Sequence, residues 1–138
     1  MNSFREFINH YMNSWRSSSL VEMEKVISKD FHAREIRDGE ATDYGYEQSV
    51  TGWEQGFHYA IESGSEWDLH ELAVFPLHNA EMMAIISASM IIDGRKTTNA
   101  NLFFNTFRKN EDNGWKLVRS YIEAGVPTEN LNKVQINL

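Results

Sequence analysis

The chain has 138 residues, no cysteine and a formal net charge of -7, which suits one domain, 1–138, with a core of ordinary size. Without thiols there is no disulfide framework and no thiolate metal site, and an acidic balance with no basic cluster argues against nucleic acid as a partner. No run is long enough to span a membrane, and the opening Met-Asn-Ser-Phe-Arg-Glu-Phe lacks the continuous apolar stretch of a signal peptide, so the expectation is a cytoplasmic protein with no membrane partner.

In chain order, Phe4, Phe7, Ile8, Tyr11, Met12 and Trp15 fall on one helical stripe, which predicts an amphipathic helix over 3–16. Ser19 with Glu22 reads as a capping box that opens a short second helix through about Ile27. Phe31–Arg37 is extended, Asp38-Gly39 turns, and 41–46 either pairs back or runs as loop. Val50, Trp53, Phe57, Ala60 and Ile61 mark a third helix, 46–62, with Gly64 at its end. The period then changes to two. Strands are expected from Trp67 to Pro76, over 81–92, over 97–108 and over 115–123. The tail 127–138 is mixed and is expected to be frayed or swapped onto a neighbour.

Helices followed by a run of strands indicate an α+β fold: three N-terminal helices packed on a strongly bent antiparallel sheet, with an internal pocket at the open mouth of the cone. The strand Ala100–Arg108 carries Asn101, Phe103, Asn105 and Phe107 on one side and Leu102, Phe104 and Thr106 on the other. Buried amides need partners, so Asn101 and Asn105 are expected to line the pocket. A connection of four residues, 110–113, would put Val118, Ser120 and Ile122 on the Asn105 side; one residue more would reverse them. The four-residue connection is the one expected, with Arg119 and Tyr121 outward. The face bearing Ile85, Leu102, Phe104 and Tyr121 has no helix left to cover it, which predicts a homodimer. No pair of the histidines has metal-ligand spacing, so neither a metal nor a cofactor is expected.

Tyr11-Met-Asn-Ser-Trp15, the cap at Ser19, and Lys29-Asp30-Phe31 resemble the helix–cap–helix–strand opening of the NTF2-like superfamily. Thr106-Phe-Arg-Lys109 with Gly114-Trp-Lys-Leu-Val118 resembles its last hairpin. This cystatin-like cone is shared by SnoaL-type cyclases and ketosteroid isomerase, and its members include enzymes and non-enzymes. Counted without gaps from Ser19, Tyr11 falls where ketosteroid isomerase has its oxyanion-hole tyrosine and Glu35 where it has its carboxylate base. Counted from Phe107-Arg108, Asn105 falls where that enzyme has a protonated aspartate as second donor. The resemblance therefore implies Tyr11, Glu35 and Asn105 as a catalytic set, with an amide in place of the acid. Trp15, Trp53, Phe57, Asn101, Phe103, Ser120 and Ile122 are the expected ligand-binding residues.

Each of these has a plainer reading. Tyr11 lies on the core stripe of its helix, and the charged run Arg34–Asp38 reads first as a solvated strand face. Three functions follow. The first is a pocket for a small apolar or carbonyl-containing ligand. The second is an isomerase- or cyclase-type enzyme that abstracts a proton next to a carbonyl with Glu35 as base. The third is a non-catalytic dimerisation module.

Overall fold

The computed structural model describes residues 3–135. The elements are α1 (Phe4–Arg16), α2 (Leu20–Val26), β1 (Ile27–Arg37), β2 (Glu40–Tyr44), α3 (Tyr46–Ser63), β3 (Glu66–Pro76), β4 (Glu81–Ile92), β5 (Arg95–Lys96), β6 (Asn99–Lys109), β7 (Trp115–Pro127) and a terminal 3-10 turn, Thr128–Lys133. Polar side chains set the helix starts. Ser3 Oγ accepts the Glu6 N–H at 3.0 Å, and Ser19 Oγ accepts the Glu22 N–H at 3.4 Å, which satisfies donors that the first turn leaves free. Helix α3 ends at Gly64, whose φ of 63° is the left-handed cap that glycine adopts without strain.

The strands form one curled, unclosed sheet in the order β2-β1-β7-β6-β4-β3, with the short β5 on β4. Helices pack on its concave side, so the α+β cone is present. Pairing is antiparallel throughout except at β1 and β7, which run parallel. This departs from the all-antiparallel sheet expected above. The chain makes its first strand immediately after α2, and the last strand then docks beside it in the same direction. The segment after Asp38-Gly39 does pair back: β2 joins β1 antiparallel, with Glu35 opposite Thr42.

The stripe on α1 is the centre of the core. Phe4, Phe7, Ile8, Tyr11, Met12 and Trp15 are all buried. They meet Phe107 of β6, whose ring lies 5.6 Å from Phe4, 5.2 Å from Phe7 and 5.2 Å from Tyr11. Ala84 and Ile86 of β4 and Leu117 of β7 close the layer below. At the start of the tail, Thr128 donates its backbone N–H to the Thr98 carbonyl at 2.8 Å and its hydroxyl to the same carbonyl. Residues 136–138, the end of that expected tail, lie outside the described residues.

The hairpin β6–β7 corrects the loop expectation in an instructive way. The last pair is Lys109 with Trp115, so the connection holds five residues, and Leu117 rather than Val118 faces Phe107. A register shift then follows between Phe107–Leu117 and Thr106–Arg119, with Val118 the extra residue. This bulge restores the parity that the longer loop had changed. Ser120 therefore sits opposite Asn105 and Ile122 opposite Phe103, as expected but by a different route.

Candidate functional site

The concave face, α1 and α3 enclose a cavity of about 730 Å³. Aromatic rings reach its wall from every layer, Trp15 from α1, Trp53 from α3, Phe31 and Tyr44 from the first two strands, Trp67 from β3 and Phe103 from β6, and polar side chains such as Thr42, Asp43, Gln48 and Asn99 complete the lining. Trp15 is the hinge of this wall. Its ring stands edge-on to Trp53 at 4.7 Å and to Phe103 at 5.0 Å, while Trp53 and Phe103 are nearly parallel at 6.3 Å. Trp53 and Phe103 are among the residues expected to bind a ligand. Both are only half-buried, because one side of each ring faces the cavity.

Of the ten residues singled out from the sequence, nine line this cavity: Tyr11, Trp15, Glu35, Trp53, Asn101, Phe103, Asn105, Ser120 and Ile122. Phe57 does not. It is buried behind Trp53 and Trp67, at 5.4 and 6.2 Å, and belongs to the core beneath the wall. The helical stripe that pointed to both residues cannot tell a second layer from a first. Phe31, Tyr44, Trp67, Met90 and Leu117 also line the cavity and were missed. Trp67 opens the β3 pattern, and that was its only signal. The place of Tyr44 depends on β2 pairing with β1, which the sequence left open.

A polar chain crosses the apolar floor. The Ser120 hydroxyl donates to Asn105 Oδ1 at 2.6 Å, and Asn105 Nδ2 donates to the Tyr11 hydroxyl at 3.3 Å. These lengths fit an O–H donor on the amide oxygen and an N–H donor on the phenol. Asn105 is wholly buried and Tyr11 is 1% exposed. Burial pushes the Tyr11 phenol well above its usual range, against the opposing effect of the Asn105 N–H, so Tyr11 is a neutral hydroxyl at physiological pH. One N–H of the Asn105 amide is thus directed to Tyr11 rather than to the open space.

Asn101 is engaged differently. Its Oδ1 accepts the Gly125 N–H at 3.1 Å, across the second bulge of the hairpin. Gly125 has φ +73°, which explains a glycine there.

Glu35 lies on β1 opposite Ile122 of β7, and its carboxylate accepts from Arg37 Nε at 3.2 Å. Its side chain is 27% exposed. No hydrogen bond joins it to Tyr11 or Asn105 among the described residues; the three share the cavity and not a direct contact. Tyr44 links the two ends electrostatically. Burial, and then the negative charge of Glu35, push its phenol up to about 12.

Among the described residues, no group of three or more His, Asp or Glu is arranged to hold a metal ion, and no helix is long and apolar enough to cross a membrane. The outer face of the sheet carries a row from Ala73 through Ile85 and Phe104 to Tyr121 and Arg34. Phe104 and Tyr121 meet edge-on at 6.0 Å, and Tyr121 and Phe75 are each 41% exposed. Beside this row Glu81 is held by Arg119 at 2.7 Å and Arg108 at 3.1 Å.

No protein-family model matches the chain, and no curated protein does. Solved structures do. A protein from Thiobacillus denitrificans, described as a candidate calcium/calmodulin-dependent protein kinase type II association domain, superposes with a TM-score of 0.68 at 19% identity, over 90% of this chain and 96% of that one. An NTF2-like protein of unknown function from Pseudomonas putida gives 0.67 at 14% identity, over 97% and 92%. An NTF2-like protein of unknown function in nutrient uptake from Rhodospirillum rubrum gives 0.62 at 15% identity, over 88% and 98%. At these identities the likeness is one of fold, and the fold of this chain is the NTF2-like, cystatin-like cone.

Proposed function

We propose that this protein binds a small, mostly apolar ligand carrying a carbonyl group inside the cone. The observation that supports this most directly is the lining of the cavity: aromatic rings from helices and sheet with polar side chains among them, three of which, Ser120, Asn105 and Tyr11, form a hydrogen-bonded chain. Binding sites for small molecules combine those two features, apolar bulk for affinity and a few fixed polar groups for orientation. A panel of aromatic and alicyclic ketones, screened by thermal unfolding, tests the reading. A ligand at a hundred times its Kd stabilises by about 2.7 kcal/mol, which raises the melting temperature by several degrees. No shift with any ketone, together with no small molecule released from the purified protein on denaturation, would remove it.

A second reading rests on Glu35 sharing that lining with Tyr11 and Asn105. In it the Glu35 carboxylate takes a proton from the carbon next to the carbonyl, the Tyr11 hydroxyl donates to the enolate oxygen, and Glu35 returns the proton to carbon. Asn105 acts through Tyr11. The isomerase or cyclase reading predicts exchange of the α-hydrogens of a bound ketone with deuterated solvent, followed by proton NMR. Glu35→Gln keeps the shape and removes the base, so exchange should fall to the solvent rate while ligand affinity stays close to wild type. Equal exchange in both proteins would leave a binding cavity without this chemistry.

The exposed apolar row through Phe104 and Tyr121 supports a homodimer joined by the outer sheet faces. The dimerisation module of the third reading and a ligand-binding dimer both require it. Sedimentation at tens of micromolar, roughly where an interface of ordinary size holds, should give a dimer, and Tyr121→Glu should give a monomer. A wild-type monomer under those conditions rules the interface out.

A further inference from the structure

The charged residues of the cavity are all of one sign. Among the described residues, Glu35 and Asp43 line it and no lysine, arginine or histidine does. The two carboxylates differ in how far they are engaged. Both oxygens of Asp43 are held by Arg34, whose Nε lies at 2.7 Å and Nη2 at 2.9 Å. Glu35 is held at one oxygen only: Arg37 Nε donates to Oε2 at 3.2 Å, and Oε1 has no hydrogen-bond partner among the described residues. The Arg37 side chain is 58% exposed against 27% for Glu35. An ion pair with one arm so far in solvent is weak and gives way readily to a better-placed cation.

Aromatic rings share the same space. Glu35 pairs with Thr42 and Ala33 with Tyr44, so Glu35 and Tyr44 are diagonal neighbours on one face of the β1–β2 ladder. The Glu35 charge reaches the Tyr44 phenol and adds to the effect of burial in pushing it up. Trp53, Trp67 and Phe103 are half-buried and line the cavity too. An organic cation uses both features. The carboxylate balances its charge, and the negative ring faces take the place of water around its alkyl groups. A neutral ligand would cover Glu35 and strip water from the carboxylate without replacing it. An anion would meet repulsion.

We propose that the ligand of this cavity carries a positive charge, as a quaternary or protonated alkylamine, and that Glu35 is its counter-ion. This rests on the reading that the cone binds a small molecule, and it adds the charge of that molecule. Glu35 then has a binding task that does not require it to act as a base. The cation sits against the free oxygen of Glu35 and the ring of Tyr44, and it displaces Arg37 into solvent or shares the carboxylate with it. An alkylated ammonium suits the place better than a small ion, because it is weakly hydrated and has apolar surface to bury.

The test compares two ketones of one shape, 4-acetyl-N,N,N-trimethylanilinium and 4-tert-butylacetophenone, which differ by nitrogen for carbon at a single atom. Each is titrated calorimetrically into the full chain, with 4-acetylbenzoate as the anion. The cation should bind more tightly than its neutral isostere, although water holds the cation more strongly, and the benzoate should bind more weakly than either. In Glu35→Gln the ratio of cation to neutral affinity should fall about tenfold, the scale of a part-exposed ion pair with one ring contact. In Arg37→Gln the ratio should rise, because the carboxylate loses its internal competitor. The ratio is the readout because a loss of shape alone weakens both ketones together. Salt gives a measure that needs no variant: raising it from about 0.02 to 0.5 M should weaken the cation severalfold and leave the neutral ketone unmoved. A wild type that binds the neutral ketone more tightly than the cation would overturn the proposal while leaving the binding reading intact. So would a ratio unchanged in Glu35→Gln, or a cation affinity indifferent to salt. Binding of none of the three would remove the binding reading and this inference with it.

Discussion

Phe107→Ala is the sharpest probe of how this fold holds its cavity. Phe107 is fully buried and lies at ring-centroid distances of 5.2–5.6 Å from Phe4, Phe7 and Tyr11. Truncation removes the ring from water-free surroundings and leaves a cavity between helix and sheet, since both are held elsewhere and cannot collapse into it. Substitutions of this kind cost about 3–5 kcal/mol, and the edge-on contacts with Phe7 and Tyr11 place this one in the upper half of that range. With a urea dependence of about 2 kcal/mol per molar, ordinary for a small protein, the unfolding midpoint should fall by about 2 M. Phe107→Leu keeps most of the volume and should cost about 1.5 kcal/mol or less. Equilibrium urea unfolding followed by tryptophan fluorescence reads both. The slope must remain that of the wild type for the comparison to hold. A midpoint shift under about 0.5 M for the alanine variant, roughly 1 kcal/mol, would mean that α1 does not pack on β6 through this ring, and that Tyr11 is not seated where the cavity requires it.

Two further predictions concern pH. The Arg119 guanidinium, then that of Arg108, hold the Glu81 carboxyl below its ordinary range despite opposing desolvation, so the stability it contributes is present above the unfolded carboxylate pKa and is lost as pH falls through the lower folded value. Below about pH 5 the wild type should therefore lose stability more steeply than Glu81→Gln; parallel acid limbs in urea titrations at successive pH values would refute this. Tyr11 and Tyr44 are shifted the other way, Tyr44 up to about 12, chiefly by burial. Their contribution is complete below the unfolded tyrosine pKa and is lost as pH rises above about 10. Phenolate absorbance of the folded protein should show a late-ionising component that Tyr11→Phe reduces, and Tyr11→Phe should flatten the alkaline loss of stability; no late component, or an unchanged alkaline limb in the variant, would contradict it.

Local signals in the sequence were read well where local physics decides. The stripe on α1, the caps at Ser19 and Gly64, and the span of β4 all depend on neighbours a few residues away, and all appear as the local signals suggest. Alternation on β6 was enough to place Asn101, Phe103 and Asn105 on one face. What was not legible depends on pairing over distance. Nothing near Glu35 says that β7 will lie beside it in parallel, and nothing near Tyr44 says that β2 will turn it toward the cavity. The bulge at Val118 is the clearest case. Loop length and bulge each shift side-chain parity by one, so the two cancel and leave Ser120 facing Asn105; counting residues could not have separated no shift from two. Phe57 marks the other limit, because a helical stripe gives the direction of burial and not its depth.

The parallel seam between β1 and β7 bears on how this protein is made. Ala33 pairs with Ser120, and Glu35 with Ile122, so two strands from opposite ends of the chain must meet before the floor and one wall of the cavity exist. On a ribosome, which delivers about 5–20 residues per second from the N-terminus, α1, α2 and the β1–β2 hairpin emerge early but have no sheet to complete. Through that interval β1 presents an open edge, and the aromatic faces that later line the cavity are wet. Contacts so distant in sequence are slow to form. The cavity is therefore completed in one late step, when β7 slides between β1 and β6, and a chain stopped after β6 should lack its floor however well its helices have formed.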